Sequence, residues 1–129
     1  MRTMAQKRAE FALKKVLLVQ DKDFKSFSAG TPSMILQNGF GQTLAFWLAK
    51  GTKDGKLKDH DKHIEMFDMV KDWLSLKKGD VDNCFVNETD RTKLIMELST
   101  MDQRSYLAAQ KETLALLEWV KRFANADLK

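Results

Sequence analysis

The sequence predicts an all-α protein, a single compact bundle of about five helices over residues 1–129. Three observations predict it. Apolar residues recur at helical spacing along most of the chain, and no run alternates apolar with polar for long enough to make a strand. Only one proline and six glycines interrupt that pattern. Hydrophobic residues make up 43% and charged residues 31%, enough to fill one core and solvate one surface. A chain of this size buries roughly two-thirds of its unfolded surface and needs no disulfide or metal to hold it together.

The elements follow in order. Residues 3–20 read as the first helix, with Ala5, Ala9, Ala12, Leu13, Val16, Leu17 and Val19 in one arc. Residues 21–30 read as a loop. Thr31 then reads as an N-cap with Pro32 at the first helical position, where a missing N–H costs nothing. That helix runs to Lys50, and Gly51 reads as a left-handed stop. Residues 51–58 are polar and form an exposed loop. Asp59 caps a third helix over 60–77, with Ile64, Phe67, Val70 and Leu74 facing inward and Gly79 ending it. An acidic loop spans 79–86, and Asn87 caps a short helix over 88–99. Thr100 and Gln103 have capping-box spacing and open a last helix running to Ala126. Its inward face carries Tyr106, Ala109, Thr113, Leu116, Leu117, Val120, Phe123 and Ala124.

Composition excludes several classes. No stretch approaches the roughly 18 apolar residues of a membrane span, so no membrane partner is expected. The N-terminus is charged and leads into an amphipathic helix rather than a secretory segment. Cys84 is the only cysteine, which builds no disulfide framework and suits a reducing compartment. These readings together predict a soluble cytoplasmic protein. The net charge of +4 is uneven: residues 1–15 hold Arg2, Lys7, Arg8, Lys14 and Lys15 against Glu10 alone, while residues 80–90 hold Asp80, Asp82, Glu88 and Asp90 with no base. Such polarity suits docking on an anion from one side.

Catalytic chemistry finds no support. His60 and His63 are three apart and could share a helix turn, but no third ligand recurs at a spacing that completes a metal shell. The pattern puts both on the apolar side, with Ile64 and Phe67, as semi-buried imidazoles. Cys84 lies in the acidic loop, which raises a thiol pKa, and reads as a small apolar filler. Gly39-Phe40-Gly41 lies among apolar residues inside a helix, where two glycines point to close approach of another helix or backbone rather than to a phosphate loop. Glu112 faces inward beside Leu116, Trp119 and Phe123, so a structural ion pair is expected. Neither a cofactor nor a metal is expected.

The surface carries more information. Met4, Phe11 and Leu18 recur every seven residues on the first helix, opposite its main stripe, with Lys7, Arg8, Lys14 and Lys15 beside them. Leu107 and Leu114 sit among polar residues of the last helix. These five apolar residues are candidate partner contacts. Lys50, Lys53, Lys56, Lys58 and Lys62 surround the 51–58 loop. If they share a face with Lys14, Lys15, Lys121 and Arg122, they make a phosphate-binding patch. No aromatic is interleaved with these lysines, so base-specific recognition is not indicated.

The stretch Pro32-Ser33-Met34-Ile35-Leu36-Gln37-Asn38-Gly39-Phe40-Gly41-Gln42-Thr43-Leu44-Ala45-Phe46, closed by Lys50-Gly51, resembles the signature helix of the small subunit of type III-B (Cmr) CRISPR effector complexes. Tyr106, the run Glu112-Thr113-Leu114-Ala115-Leu116-Leu117 and the run Trp119-Val120-Lys121-Arg122-Phe123-Ala124 are similar to its second signature, and Arg8-Ala9 with Val16 match its first helix. The resemblance covers nearly the whole chain in order. It implies a non-catalytic helical bundle whose copies stack along the inner filament of a crRNA-guided ribonucleoprotein. Its implied partners are further copies of itself, the large signalling subunit, the backbone subunits, crRNA and target RNA. It further implies a basic surface that holds target RNA without reading its sequence, and by position this points to Lys50, Lys121 and Arg122, then Arg8, Lys14 and Lys15. Gly30-Thr31 depart from the family, which often has a basic and an apolar residue there. Two other readings stand beside it: a freestanding helical nucleic-acid-binding regulator, and a metal-dependent phosphohydrolase built on His60 and His63.

Overall fold

The computed structural model describes residues 1–128 and is mostly helical. Its elements are α1 (Met4–Val16), α2 (Phe24–Asn38), α3 (Phe40–Lys50), β1 (Thr52–Lys53), β2 (Lys56–Leu57), α4 (Lys62–Leu74), β3 (Lys77–Lys78), β4 (Val81–Asp82), α5 (Arg91–Thr100) and α6 (Gln103–Ala124). The all-α class stands, with six helices where about five were expected. The strands only close two small antiparallel hairpins, β1 on β2 and β3 on β4. One cluster of buried side chains draws on every helix, with Trp47, Trp73, Phe40 and Phe67 among its largest members.

The largest departure lies in residues 21–50. The expected loop is the first half of α2, whose buried stripe of Phe24, Ser28, Thr31 and Ile35 keeps helical spacing. Pro32 is therefore inside a helix rather than at its start, where it cannot donate to the Ser28 carbonyl. The buried Thr31 hydroxyl donates to that same carbonyl at 3.0 Å, so Thr31 repairs the gap instead of capping a helix. The expected single helix to Lys50 breaks at Gly39, whose φ of 90° and ψ of 155° suit glycine alone. Thr43 closes the elbow, with its hydroxyl 2.7 Å from the Gly39 carbonyl and 3.1 Å from that of Met34.

The two glycines of Gly39-Phe40-Gly41 thus have different reasons. At Gly41 the close approach is real: its N–H donates to the Tyr106 hydroxyl at 2.8 Å. Gly51 is not a left-handed stop, because its φ is −82°. A side chain there would overlap Ile64, so the position is small because α4 packs on it.

Aspartates cap the last three helices, while Thr3 caps α1. Asp61, not Asp59, caps α4 by accepting from the His63 N–H at 2.7 Å. Asp90, not Asn87, caps α5, and Asp102 replaces the expected Thr100–Gln103 box at α6. Asn87 and Glu88 instead lie in a turn clamped by the Glu97 carboxylate, which accepts from their N–H groups at 2.9 and 3.0 Å. Helix α4 ends at Leu74, and Gly79 turns the β3–β4 hairpin. Its inward face of Ile64, Phe67, Val70 and Leu74 is buried as expected.

Four contacts fix the directions of the helices. Arg8 meets Glu112, and Val16 lies by Phe123, so α1 and α6 run parallel. Asn125 reaches the Lys25 carbonyl at 3.4 Å, so α2 starts where α6 ends. The Lys62 N–H donates to Asp21 at 2.7 Å, so α4 also starts there. One end of the bundle therefore gathers the C-termini of α1 and α6 with the N-termini of α2 and α4.

Candidate nucleic-acid interface

That end collects cations for a topological reason. Lys14 and Lys15 close α1, and Lys121 and Arg122 close α6, where the helix dipole favours positive charge. The parallel pairing of α1 and α6 brings all four to the same end. Lys22 and Lys25 join them across the start of α2. Lys50 ends α3 at the same end of the bundle, because Gly51 packs on Ile64 in the first turn of α4. The β1–β2 hairpin beyond it exposes Lys53, Lys56 and Lys58.

These cations are only lightly tied. Lys14 lies 3.4 Å from Glu10 and Lys15 lies 3.5 Å from Asp72, both at the surface, where such pairs hold weakly. Lys15 also sits 5.5 Å from the Phe11 ring centroid, and Lys50 sits 5.6 Å from that of Phe46. Their ammonium groups stay available to an incoming anion.

Arg8 is different. Its guanidinium makes two bonds to the Glu112 carboxylate, at 2.6 and 2.9 Å, and Trp73 Nε1 donates to the same carboxylate at 2.9 Å. Glu112 is only 6% exposed, so this is the structural ion pair the sequence suggested. The bond to Glu112, against some desolvation, holds the Arg8 pKa above its ordinary value. Arg8 is thus committed inside the fold, and we remove it from the candidate RNA-facing set.

The opposite end is mixed, with Asp80 and Asp82 standing among Arg2, Lys7, Lys77 and Lys78. Arg2 grips Asp80 with two bonds, at 3.0 and 2.7 Å, and tethers the start of α1 to the β3–β4 hairpin. That contact holds the Asp80 carboxyl down at about 2. Asp82 stands exposed beside it.

The candidate partner contacts divide. Met4, Phe11 and Leu114 pack against the core, and Phe11 lies 5.1 Å from Trp73, centroid to centroid. Their own fold covers them: α1 buries Ala12 of the alanine stripe and packs Met4 and Phe11 of the other face beside it, and Leu114 packs from α6. Leu18, 72% exposed, and Leu107 remain at the surface. The sequence reading missed Leu36, Phe46 and Met96, which are exposed too. Phe46 corrects the expectation that no aromatic accompanies the lysines. Its spacing of four from Lys50 was the available signal, hidden within the apolar run from Leu44 to Leu48.

The two histidines separate. His60 is exposed ahead of α4, off the apolar face. His63 is half-buried, with its ring 4.7 Å from that of Phe27 and its Nδ1 2.9 Å from Asp61. Among the described residues, no group of three His, Cys, Asp or Glu side chains could hold a metal ion. Cys84 is exposed rather than filling the core. No helix among the described residues is long and apolar enough to cross a membrane.

Fold and charge together define a small helical bundle whose one end gathers Lys14, Lys15, Lys50, Lys121 and Arg122 among Asp21, Asp61 and Glu65. Residues 4–127 match the family model described as CRISPR-associated protein (Cas_Cmr5). The chain belongs to this family, that of the small subunit of type III-B Cmr complexes. Its structure is also similar to the crystal structure of a CRISPR-associated Cmr5 family protein from Thermus thermophilus, with a TM-score of 0.65 and 24% identity over 100% of both chains. That likeness shows the fold.

Proposed function

We propose that the chain is a non-catalytic subunit of a crRNA-guided Cmr ribonucleoprotein. It stacks with copies of itself and its neighbouring subunits along the inner filament, and it holds target RNA through the cationic end without reading sequence. The observation that carries this is the convergence of Lys14, Lys15, Lys121 and Arg122 at one end through the parallel pairing of α1 and α6, with Lys50 at the same end. Lysines and arginines on flexible stems suit phosphates spaced along a strand, and they add affinity rather than sequence discrimination. Leu18 and Leu107 are the exposed apolar residues proposed for subunit contact.

The test is charge reversal in the assembled complex. Lys121→Glu with Arg122→Glu should lower target RNA retention and flatten its salt dependence, with the helical circular dichroism unchanged. Retention equal to wild type across salt concentrations would contradict the RNA-holding role.

A further inference from the structure

The elbow between α2 and α3 makes a groove of about 580 Å³, lined by Met34, Gln37, Asn38, Gln42, Thr43 and Phe46. That volume is in the range, roughly 300–1,000 Å³, of pockets that take small organic groups. Its chemistry is specific. Phe46 is 45% exposed and offers a flat aromatic face, and Met34 adds an apolar, polarisable contact. Gln37, Asn38 and Gln42 contribute three amides, each able to donate and to accept. The Lys50 ammonium stands over the Phe46 ring, 5.6 Å from its centroid. The groove is also preformed, because the Gly39 backbone and the Thr43 hydroxyl bonds fix the elbow without any ligand.

An aromatic face, amides placed for edge hydrogen bonds and an adjacent cation are what an unpaired nucleobase and its phosphate require. An apolar protein side chain would fit less well, since it would leave the amides without partners. We infer that this groove binds an unpaired nucleobase of the RNA strand held by the cationic end. The base stacks on Phe46, its edge meets the amides of Gln37, Asn38 and Gln42, and Lys50 takes its phosphate. The inference rests on the RNA-holding reading above and adds a base contact to a surface that otherwise touches only phosphates.

The experiment compares two fluorescent oligoribonucleotides of equal length, one normal and one abasic, binding to the full chain at low salt. The phosphates are the same, so the difference reports base contact. Wild type should bind the normal strand tighter, by roughly 5- to 150-fold for one stacked base. Phe46→Ala should erase that gap and leave abasic affinity unchanged, Phe46→Tyr should keep it, and Gln42→Ala should narrow it. If Phe46→Ala does not fold, Gln42→Ala and Asn38→Ala, neither of them in the buried core, carry the test. Equal, salt-dependent affinity of wild type for both strands would overturn the base site and leave the RNA-holding reading intact. No binding of either strand would overturn both. A Phe46→Ala protein that keeps the gap but fails to enter the assembled complex would assign the groove to a protein neighbour and overturn the inference.

Discussion

Glu112 is the side chain on which three helices converge: it sits on α6 and accepts from Arg8 of α1 and Trp73 of α4. A buried carboxylate is tolerated there because both of its oxygens are bonded and its charge is matched. Removing Arg8 would leave the charge buried and unpaired. Arg8→Ala should therefore cost about 3–5 kcal/mol, read as a lower urea midpoint, whereas a free RNA-facing arginine would cost almost nothing. Glu65 shows the opposite balance. Its Oε2 accepts from the Gln20 N–H at 3.1 Å, but its buried Oε1 has no partner among the described residues. Desolvation raises its pKa above the ordinary 4.5. The neutral form is thus favoured by folding, so this group's contribution is full below 4.5 and is lost as pH rises through the raised folded value. Glu65→Gln should be more stable than wild type at neutral pH, and the gap should close below 4.5; urea melts at several pH values measure it. The sequence showed that Glu112 needed a partner. It could not show that Arg8, 104 residues away, was that partner and so unavailable to phosphate.

At the scale of elements, what the sequence revealed depended on how each helix is buried. Helix α4 and helix α6 bury a continuous apolar stripe, so the period of that stripe reveals them. The first half of α2 buries Phe24, Ser28 and Thr31 among lysine, serine, alanine and glycine, and its pattern reads as a loop. Pro32 strengthened that misreading, although the repair is local: the Thr31 hydroxyl bonds the Ser28 carbonyl three residues back. The break at Gly39 was equally hidden, since a φ of 90° leaves no trace in side-chain periodicity. It has a measurable consequence. There is open space around Gly39, so Gly39→Ala meets no clash, only an unfavourable backbone conformation. The cost should be about 1–3 kcal/mol, seen as a fall in the thermal midpoint. No fall would mean that the elbow can relax.

For the whole molecule, the central feature is the gathering of cations at one end. Parallel α1 and α6 collect their terminal lysines and Arg122 there, among Asp21, Asp61 and Glu65, while Asp80 and Asp82 at the other end are matched by Arg2, Lys7, Lys77 and Lys78. The uneven charge was visible in the sequence, but its geometry was not, because it depends on which helices run parallel. The family resemblance suggested the class of partner, and the fold supports the proposed face while removing Arg8 from it. A field of this kind orients a polyanion before contact and weakens with salt. The most direct measurement is photocrosslinking of target RNA bearing thiouridine in the assembled complex, followed by mapping of the linked peptides on this subunit. Crosslinks should fall in the segments carrying Lys14 and Lys15, Phe46 and Lys50, or Lys121 and Arg122. Crosslinks confined to the segment around Asp80 and Asp82, or to none of this subunit, would contradict the account.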